Sequence, residues 1–308
     1  MNSKPFFLLA ALCACMFTSC THDEITVDDG RVRFTAGIHQ AVPNTSASRA
    51  AGDSWAENDA IGVFMVDHGS TDIAENVQNN KFITSGTPDF KAETGQEVYY
   101  PMDGSAVDFI AYYPYADNRT LSTDIDVEIG RQTNQSSFDL LWGKTDNNTA
   151  GFHKLVSGAV NIPFVHKLAK MTLNCKPGDG VTAANLTTGM RVSIQGMNTK
   201  NTFSLATGLL GTADTPANIT PQRLNSVPQG GVFAVAYDAI IMPDTYAAGE
   251  VKVVFSIGSD DFIWTSEAIE FIGGNEYIYE VTITRTGVNM QGTITGWNSL
   301  TSQGVTAD

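Results

Sequence analysis

Cationic side chains are scarce: 18 Lys and Arg stand against 33 Asp and Glu, a formal net charge of −15 over 308 residues. No basic cluster interrupts this acidity. Nucleic acid and anionic membrane surfaces are therefore not expected as partners, because both require concentrated positive charge. Cysteine is scarcer still. Of four, Cys13, Cys15 and Cys20 lie at the extreme N-terminus and only Cys175 remains beyond them, so no disulfide framework is expected. Cys175 closes the apolar alternation of MTLNC and reads as a small buried hydrophobe. None of the five His residues has the local signature of a nucleophile's base. No apolar run reaches the ~18 residues of a membrane-spanning helix, and no long stretch repeats with helical period.

The N-terminus carries a targeting segment. Lys4 precedes the apolar run PFFLLAALCACMF, which ends in Thr18, Ser19 and Cys20 before the polar THDE. A run this short, ending in small residues, is an export signal. Phe17-Thr18-Ser19-Cys20 resembles the lipobox of bacterial lipoproteins, in which cleavage before Cys is followed by acylation of that Cys. Leu12 to Cys15 also fits, but a cut there would leave Met16 and Phe17 apolar and exposed. The expected organisation is a signal peptide over residues 1–19, lipidation at Cys20 and a tether over 20–27. The acidic pair Asp23-Glu24 in that tether resembles the sequence that sends Bacteroidetes lipoproteins to the outer surface; otherwise it is a solvated linker.

From Asp28 onward the pattern is β. RVRFTAGI places Val32, Phe34, Ala36 and Ile38 on one face, the period of two of a half-buried strand. Comparable runs follow at AIGVFMV, QEVYYPM, AVDFIAYYPY, TDIDVEIG, AVNIPFVHKLAKMTLNC, GGVFAVAYDAIIMP, EVKVVFSIG and EYIYEVTITRTG, separated by turn signals such as PGDG and GGN. Short strands and frequent turns predict an all-β protein of antiparallel sandwiches. At ~150 residues per domain the length suits two domains. The polar stretch WGKTDNNTAGFHK, residues 142–154, is the expected linker. It divides the chain into N-terminal (28–150) and C-terminal (151–308) sandwiches.

Chemistry is sparse. GDSW, ending at Trp55, has the Gly-Asp-Ser of some hydrolases, but no Asp-x-x-His occurs anywhere, and the run reads as a turn into an anchoring Trp. Asp124, Asp126 and Glu128 alternate with Ile125, Val127 and Ile129; they lack calcium-loop spacing and read as the solvated face of a strand. Tyr99, Tyr100, Tyr112, Tyr113 and Tyr115 either pack a sheet or offer a platform for sugars. His166, in an apolar strand, reads as structural. No catalytic residue, metal site or cofactor is expected. Arg49 stands alone in PNTSASRAAGDSW, where small neighbours make an exposed loop accessible to proteases.

DSWAENDAIGVFM, VYYPMDGSAVDFIAYYPY, FDLLWG, VNIPFVHKLAKMTL and GNEYIYEVTITRTGVNMQGTITGW, in this order, resemble the fimbrillin-like lipoproteins of the Bacteroidales. The resemblance implies two tandem transthyretin-like sandwiches and a subunit, anchor or tip of a surface fimbria that supports adhesion and biofilm formation. It implies an outer-membrane lipid anchor, an Arg-specific cut at Arg49-Ala50, and loss of the first strand, RVRFTAGI. A terminal strand of a neighbouring subunit then fills the groove, with QGTITGW inside the candidate donor segment. The implied partners are other fimbrial subunits and a host or bacterial surface receptor. The alternative is a lipoprotein that stays uncut, as a fimbrial base or glycan-binding module.

Overall fold

The computed structural model describes residues 29–39, 54–130, 132–154, 158–228 and 232–297. It is built almost entirely of β-strands. The first half holds β1 (Phe34–His39), β2 (Glu57–Asp67), β3 (Asn80–Ser85), β4 (Asp89–Ala92), β5 (Val107–Tyr113), β6 (Ile125–Glu128), β7 (Leu141–Thr145) and β8 (Val160–His166). Seven of them close into a barrel in the order β1-β4-β3-β2-β5-β7-β8. Closure replaces the open pair of sheets expected from the sequence, and β1 causes it. That strand pairs antiparallel with β4 and parallel with β8, joining two edges that would otherwise be free.

The division expected near residue 150 falls inside this barrel. Trp142 to Thr145 belong to β7, Asn147 and Asn148 turn the chain with φ of 51° and 55°, and β8 returns to pair with both β7 and β1. Asn tolerates this left-handed conformation better than most residues, so the polar stretch is a turn between barrel strands.

The second lobe begins directly after Leu168. It comprises β9 (Ala169–Pro177), the short helix α1 (Ala183–Thr187), β10 (Arg191–Gln195), β11 (Asn198–Ser204), β12 (Leu209–Leu210), β13 (Asp214–Pro216) and β14 (Gln222–Arg223). It continues with β15 (Val235–Ile241), β16 (Asp244–Tyr246), β17 (Lys252–Ile257), β18 (Asp260–Thr265), β19 (Ile269–Phe271), β20 (Asn275–Thr284) and β21 (Gly287–Gly296). Its largest sheet runs β14-β15-β9-β20-β21, and a second runs β10-β17-β18. Cys175 lies fully buried between them, where burial pushes its thiol up to about 12; it stays a neutral packing group at physiological pH.

Two features join the lobes. Strand β6 leaves the first half to pair with β11, Ile125 opposite Phe203 and Val127 opposite Asn201. Its carboxylates Asp126 and Glu128 point outward, while Ile125 and Val127 are buried. Strands β2 and β5 are also buried on both faces. Ile61, Val63, Met65, Phe109 and Ala111 fill the barrel, whereas Phe64, Val66, Ile110 and Tyr112 belong to the core of the second lobe. This explains why both strands read as continuous apolar runs with no polar alternation.

At the end of β2 a charged pair is set into this packing. His68 Nδ1 lies 2.8 Å from Asp108 Oδ1, Gly69 N–H donates to the other carboxylate oxygen at 2.9 Å, and Asp108 is only 1% exposed. The hydrogen bond to Asp108 raises the His68 pKa above its ordinary value. A raised folded-state pKa means that the protonated form stabilises the fold. That contribution is complete below the unfolded value of ~6.5 and is lost as pH rises through the folded value. The stability gap between the natural protein and His68→Gln should therefore hold constant below pH ~6.5 and narrow as pH rises above it. Chemical denaturation at several pH values tests this, and a constant gap would contradict it.

Candidate functional site

The site is the slot occupied by β1. Its inward residues Val32, Phe34 and Ala36 are 2%, 2% and 1% exposed, and Ile38 packs partly buried beside them. Phe34 sits edge-on to Phe82 and Phe109, with ring centroids 4.9 and 5.0 Å away. Trp55 closes over the slot, and its indole N–H donates to the Ala36 carbonyl at 2.8 Å. The indole is fixed in turn by edge contacts with Phe90, Tyr113 and Phe164 at 5.0, 5.5 and 5.4 Å.

The backbone of β1 is held from both sides. Phe34 to His39 run in parallel register with Val160 to Val165, while Phe34 lies opposite Phe90 and Thr35 opposite Asp89. Val32 N–H donates to Val98 O, Ala36 N–H to Pro88 O, and Val160 N–H to Arg33 O, at 2.8, 2.8 and 2.7 Å. Arg31 donates to the Tyr99 hydroxyl at 3.3 Å and pairs with Asp29 at 3.6 Å. With β1 gone, β4 and β8 would present unpaired backbone groups beside an emptied apolar groove, the arrangement that invites another strand.

The other end of the chain approaches the same barrel. Strand β21 pairs with β20 along ten residues, Asn275–Gly296 to Thr284–Gly287, and is the edge of its sheet. Its side chains divide by parity. Val288, Met290, Gly292 and Ile294 occupy one face, with Ile294 53% exposed, and Gly292 leaves room for the Tyr279 ring, which an added Cβ would meet at 2.7 Å. Just past the strand, Trp297 stacks on His166 at the end of β8, centroids 3.7 Å apart and planes 8° from parallel. His166 Nδ1 lies 2.8 Å from Asp139 Oδ1, a structural role as expected.

Cys20, Asp23, Glu24, Arg49 and Ala50 lie outside the described residues. Tyr100 and Tyr113 are buried in the barrel core, Tyr112 is buried in the core of the second lobe, and Tyr99 is 45% exposed. Trp55 serves the strand before it as well as the one after, a role that GDSW in isolation did not reveal. The stack of Trp297 on His166, 131 positions apart in the chain, had no sequence signal at all.

Comparison with known proteins agrees with this architecture. The profile described as fimbrillin-like matches residues 48–297. A candidate fimbrium subunit of Bacteroides uniformis, Fim1C, is 29% identical over 314 aligned positions, covering 96% of this chain and 95% of its own. The crystal structure of a candidate cell adhesion protein from Bacteroides uniformis superposes with a TM-score of 0.69 at 28% identity, over 87% of this chain and 98% of that one. The C-terminally truncated tip fimbrial protein Mfa3 of Porphyromonas gingivalis shares the fold alone, with a TM-score of 0.51 at 9% identity over 87% and 100% of the two chains. The family match spans most of the chain and includes every strand after β1: this chain belongs to the fimbrillin-like family.

Proposed function

We propose that the protein is a fimbrial subunit, exported as a lipoprotein acylated at Cys20, carried to the outer-membrane surface, and polymerised by strand replacement after a cut between Arg49 and Ala50. The observation that carries this reading is β1 itself. A single strand, separated from the rest of the chain by the Arg49 segment, closes the barrel and fills its groove. Its loss leaves a template that a strand from a neighbour can complete, and such a head-to-tail contact does not close on itself, so it extends into a fibre. Adhesion and biofilm formation follow from the fibre at the cell surface.

The geometry also favours Arg49 over the two earlier arginines. Arg31 and Arg33 lie in backbone bonded to Val98 and Val160, so neither seats in a protease cleft until β1 has left. Limited digestion of the purified precursor with a trypsin-like protease should give one early cut, mapped by mass to Arg49-Ala50, and under mild denaturation the cut chain should form a ladder of oligomers. A first cut at Arg31 or Arg33, or a cut chain that stays monomeric, would remove the basis of this reading. Cys20→Ala should abolish incorporation of labelled fatty acid; persistent label in that variant would overturn the lipoprotein assignment.

A further inference from the structure

Where β15, β9 and β20 run side by side, one face of the sheet sets a lysine between two carboxyl groups. Lys170 and Thr172 share that face, because alternate strand residues point the same way. Asp238 lies opposite Thr172 on β15, and Glu276 lies opposite Lys170 on β20. Lys170 Nζ stands 3.8 Å from Asp238 Oδ2 and 3.6 Å from Glu276 Oε1, and the three side chains are 25%, 9% and 17% exposed. The Trp297 ring lies 6.0 Å from the same nitrogen.

The two carboxyl groups are held differently. Asp238 Oδ1 accepts from Gln135 Nε2 at 3.1 Å. Gln135 is oriented by Gln132, to whose Oε1 it also donates at 3.2 Å, and Gln132 is fixed on both backbone groups of Ile240. Burial raises the Asp238 pKa, Lys170 and Gln135 oppose that rise, and the charge of Glu276 adds to it, so the neutral acid is easier to reach here than in an ordinary aspartate. Glu276 Oε1 instead receives the Thr172 hydroxyl at 2.7 Å as well as the ammonium, and hydrogen bonds to a carboxylate favour its ionised form. We infer that these groups make an isopeptide bond: Lys170 Nζ becomes joined to Asp238 Cγ, with Glu276 carrying the protons and Gln135 binding the carbonyl oxygen.

The Lys170 ammonium gives one proton to the Glu276 carboxylate, and the free amine attacks Cγ of protonated Asp238. As the C–N bond forms, the carbonyl electron pair moves onto Oδ1, where the Gln135 N–H meets the developing charge. Glu276 then gives its proton to Oδ2, the C–Oδ2 bond breaks and water leaves, and Glu276 takes up the proton shed by the new amide nitrogen. Overall, one ammonium and one carboxylate become one amide and one water, with no oxidant or further reactant. Groups fixed in contact react as if at about 10⁵–10⁸ M, and the bond need form only once in each chain. The product ties β15 to β9 covalently, and this inference does not depend on strand replacement.

Peptide mapping of the purified full chain, unfolded before digestion with a trypsin-like protease, provides the test. The peptide holding Lys170 and the peptide holding Asp238 should be recovered as one species, lighter than the two together by one water and uncut after Lys170. Lys170→Arg keeps the charge and cannot condense; it should give separate peptides and migrate more slowly on a denaturing gel than the natural chain, whose covalent loop keeps it compact. Glu276→Gln should lower the joined fraction at least about tenfold, since a positioned proton carrier accelerates by 10²–10⁴. A natural chain that yields only separate peptides would overturn the inference, whatever the variants do. Lys170 joined to Glu276 would overturn the choice of Asp238, and a Glu276→Gln chain joined as fully as the natural one would overturn the role of Glu276.

Discussion

Phe34→Ala is expected to lower the unfolding free energy by about 3–5 kcal/mol, the range for truncating a fully buried aromatic side chain. Two edge contacts are lost with the ring, and the resulting void is walled by Phe82 and Phe109, which are pinned by their own strands and cannot collapse inward. The effect should be larger in the cut chain. There β1 is held only by its backbone pairing, the hydrogen bonds to Trp55 and Tyr99 and the packing of Val32, Phe34, Ala36 and Ile38, so removing the largest of the four should release the strand many times faster. Equilibrium denaturation of the intact variant measures the first effect, and the rate at which labelled β1 leaves the cut variant measures the second. A variant that loses stability when intact yet releases β1 no faster would show that the strand is retained by its backbone bonds.

Tyr112→Ala should cost a similar ~3–5 kcal/mol and should weaken both lobes at once. The ring lies against Gly62, whose missing Cβ would stand 2.2 Å from Tyr112 Cε1. Its hydroxyl lies 2.8 Å from both Asn79 Oδ1 and the Ala116 carbonyl, and accepts from Ala116 N–H at 3.2 Å. Truncation takes its partner from the buried Asn79 Oδ1, at about 1–3 kcal/mol, while the Ala116 carbonyl keeps the bond from Asn79 Nδ2 at 2.9 Å. Because Tyr112 packs in the second core while its strand forms the barrel, the two lobes should unfold in one transition. Hydrogen exchange would then report equal losses of protection in β2 and in β20. Protection lost in the barrel strands and retained in β9 and β20 would show that the lobes unfold independently.

How much of this was legible in the sequence depends on the distance over which each feature is determined. The strand around Phe34 was, because alternation is local: Val32, Phe34 and Ala36 all face inward as the period of two requires. So were the outward carboxylates of β6 and the burial of Cys175. Features fixed by partners far along the chain were not. The parallel pairing of β1 with β8 joins residues 126 apart, and nothing in RVRFTAGI distinguishes a strand that closes a barrel from one at the edge of a sheet. The continuous runs AIGVFMV and AVDFIAYY signalled full burial without saying that each face belongs to a different core. WGKTDNNTAGFHK had the composition of a linker because a turn between strands has the same composition, and only the return of β8 to the barrel separates the two cases. The bond from Trp55 to the Ala36 carbonyl was equally silent, since it is made across the slot.

The stack of Trp297 on His166 places the last described turn of the chain against β8, the strand on which β1 rests. In a fibre of the proposed kind, a donor segment that contains Trp297 gives up this stack on leaving its own sheet, and tension then reaches the wall of the subunit's acceptor groove through β20, its parallel partner β9, and Lys167 and Leu168, the two residues between β8 and β9. The inserted strand would be pulled along its length, so its bonds to β4 and β8 would be loaded together in shear instead of opening one after another. A joint of this geometry resists traction far better than the same bonds would resist peeling, a useful property for a filament that must hold a cell in flow.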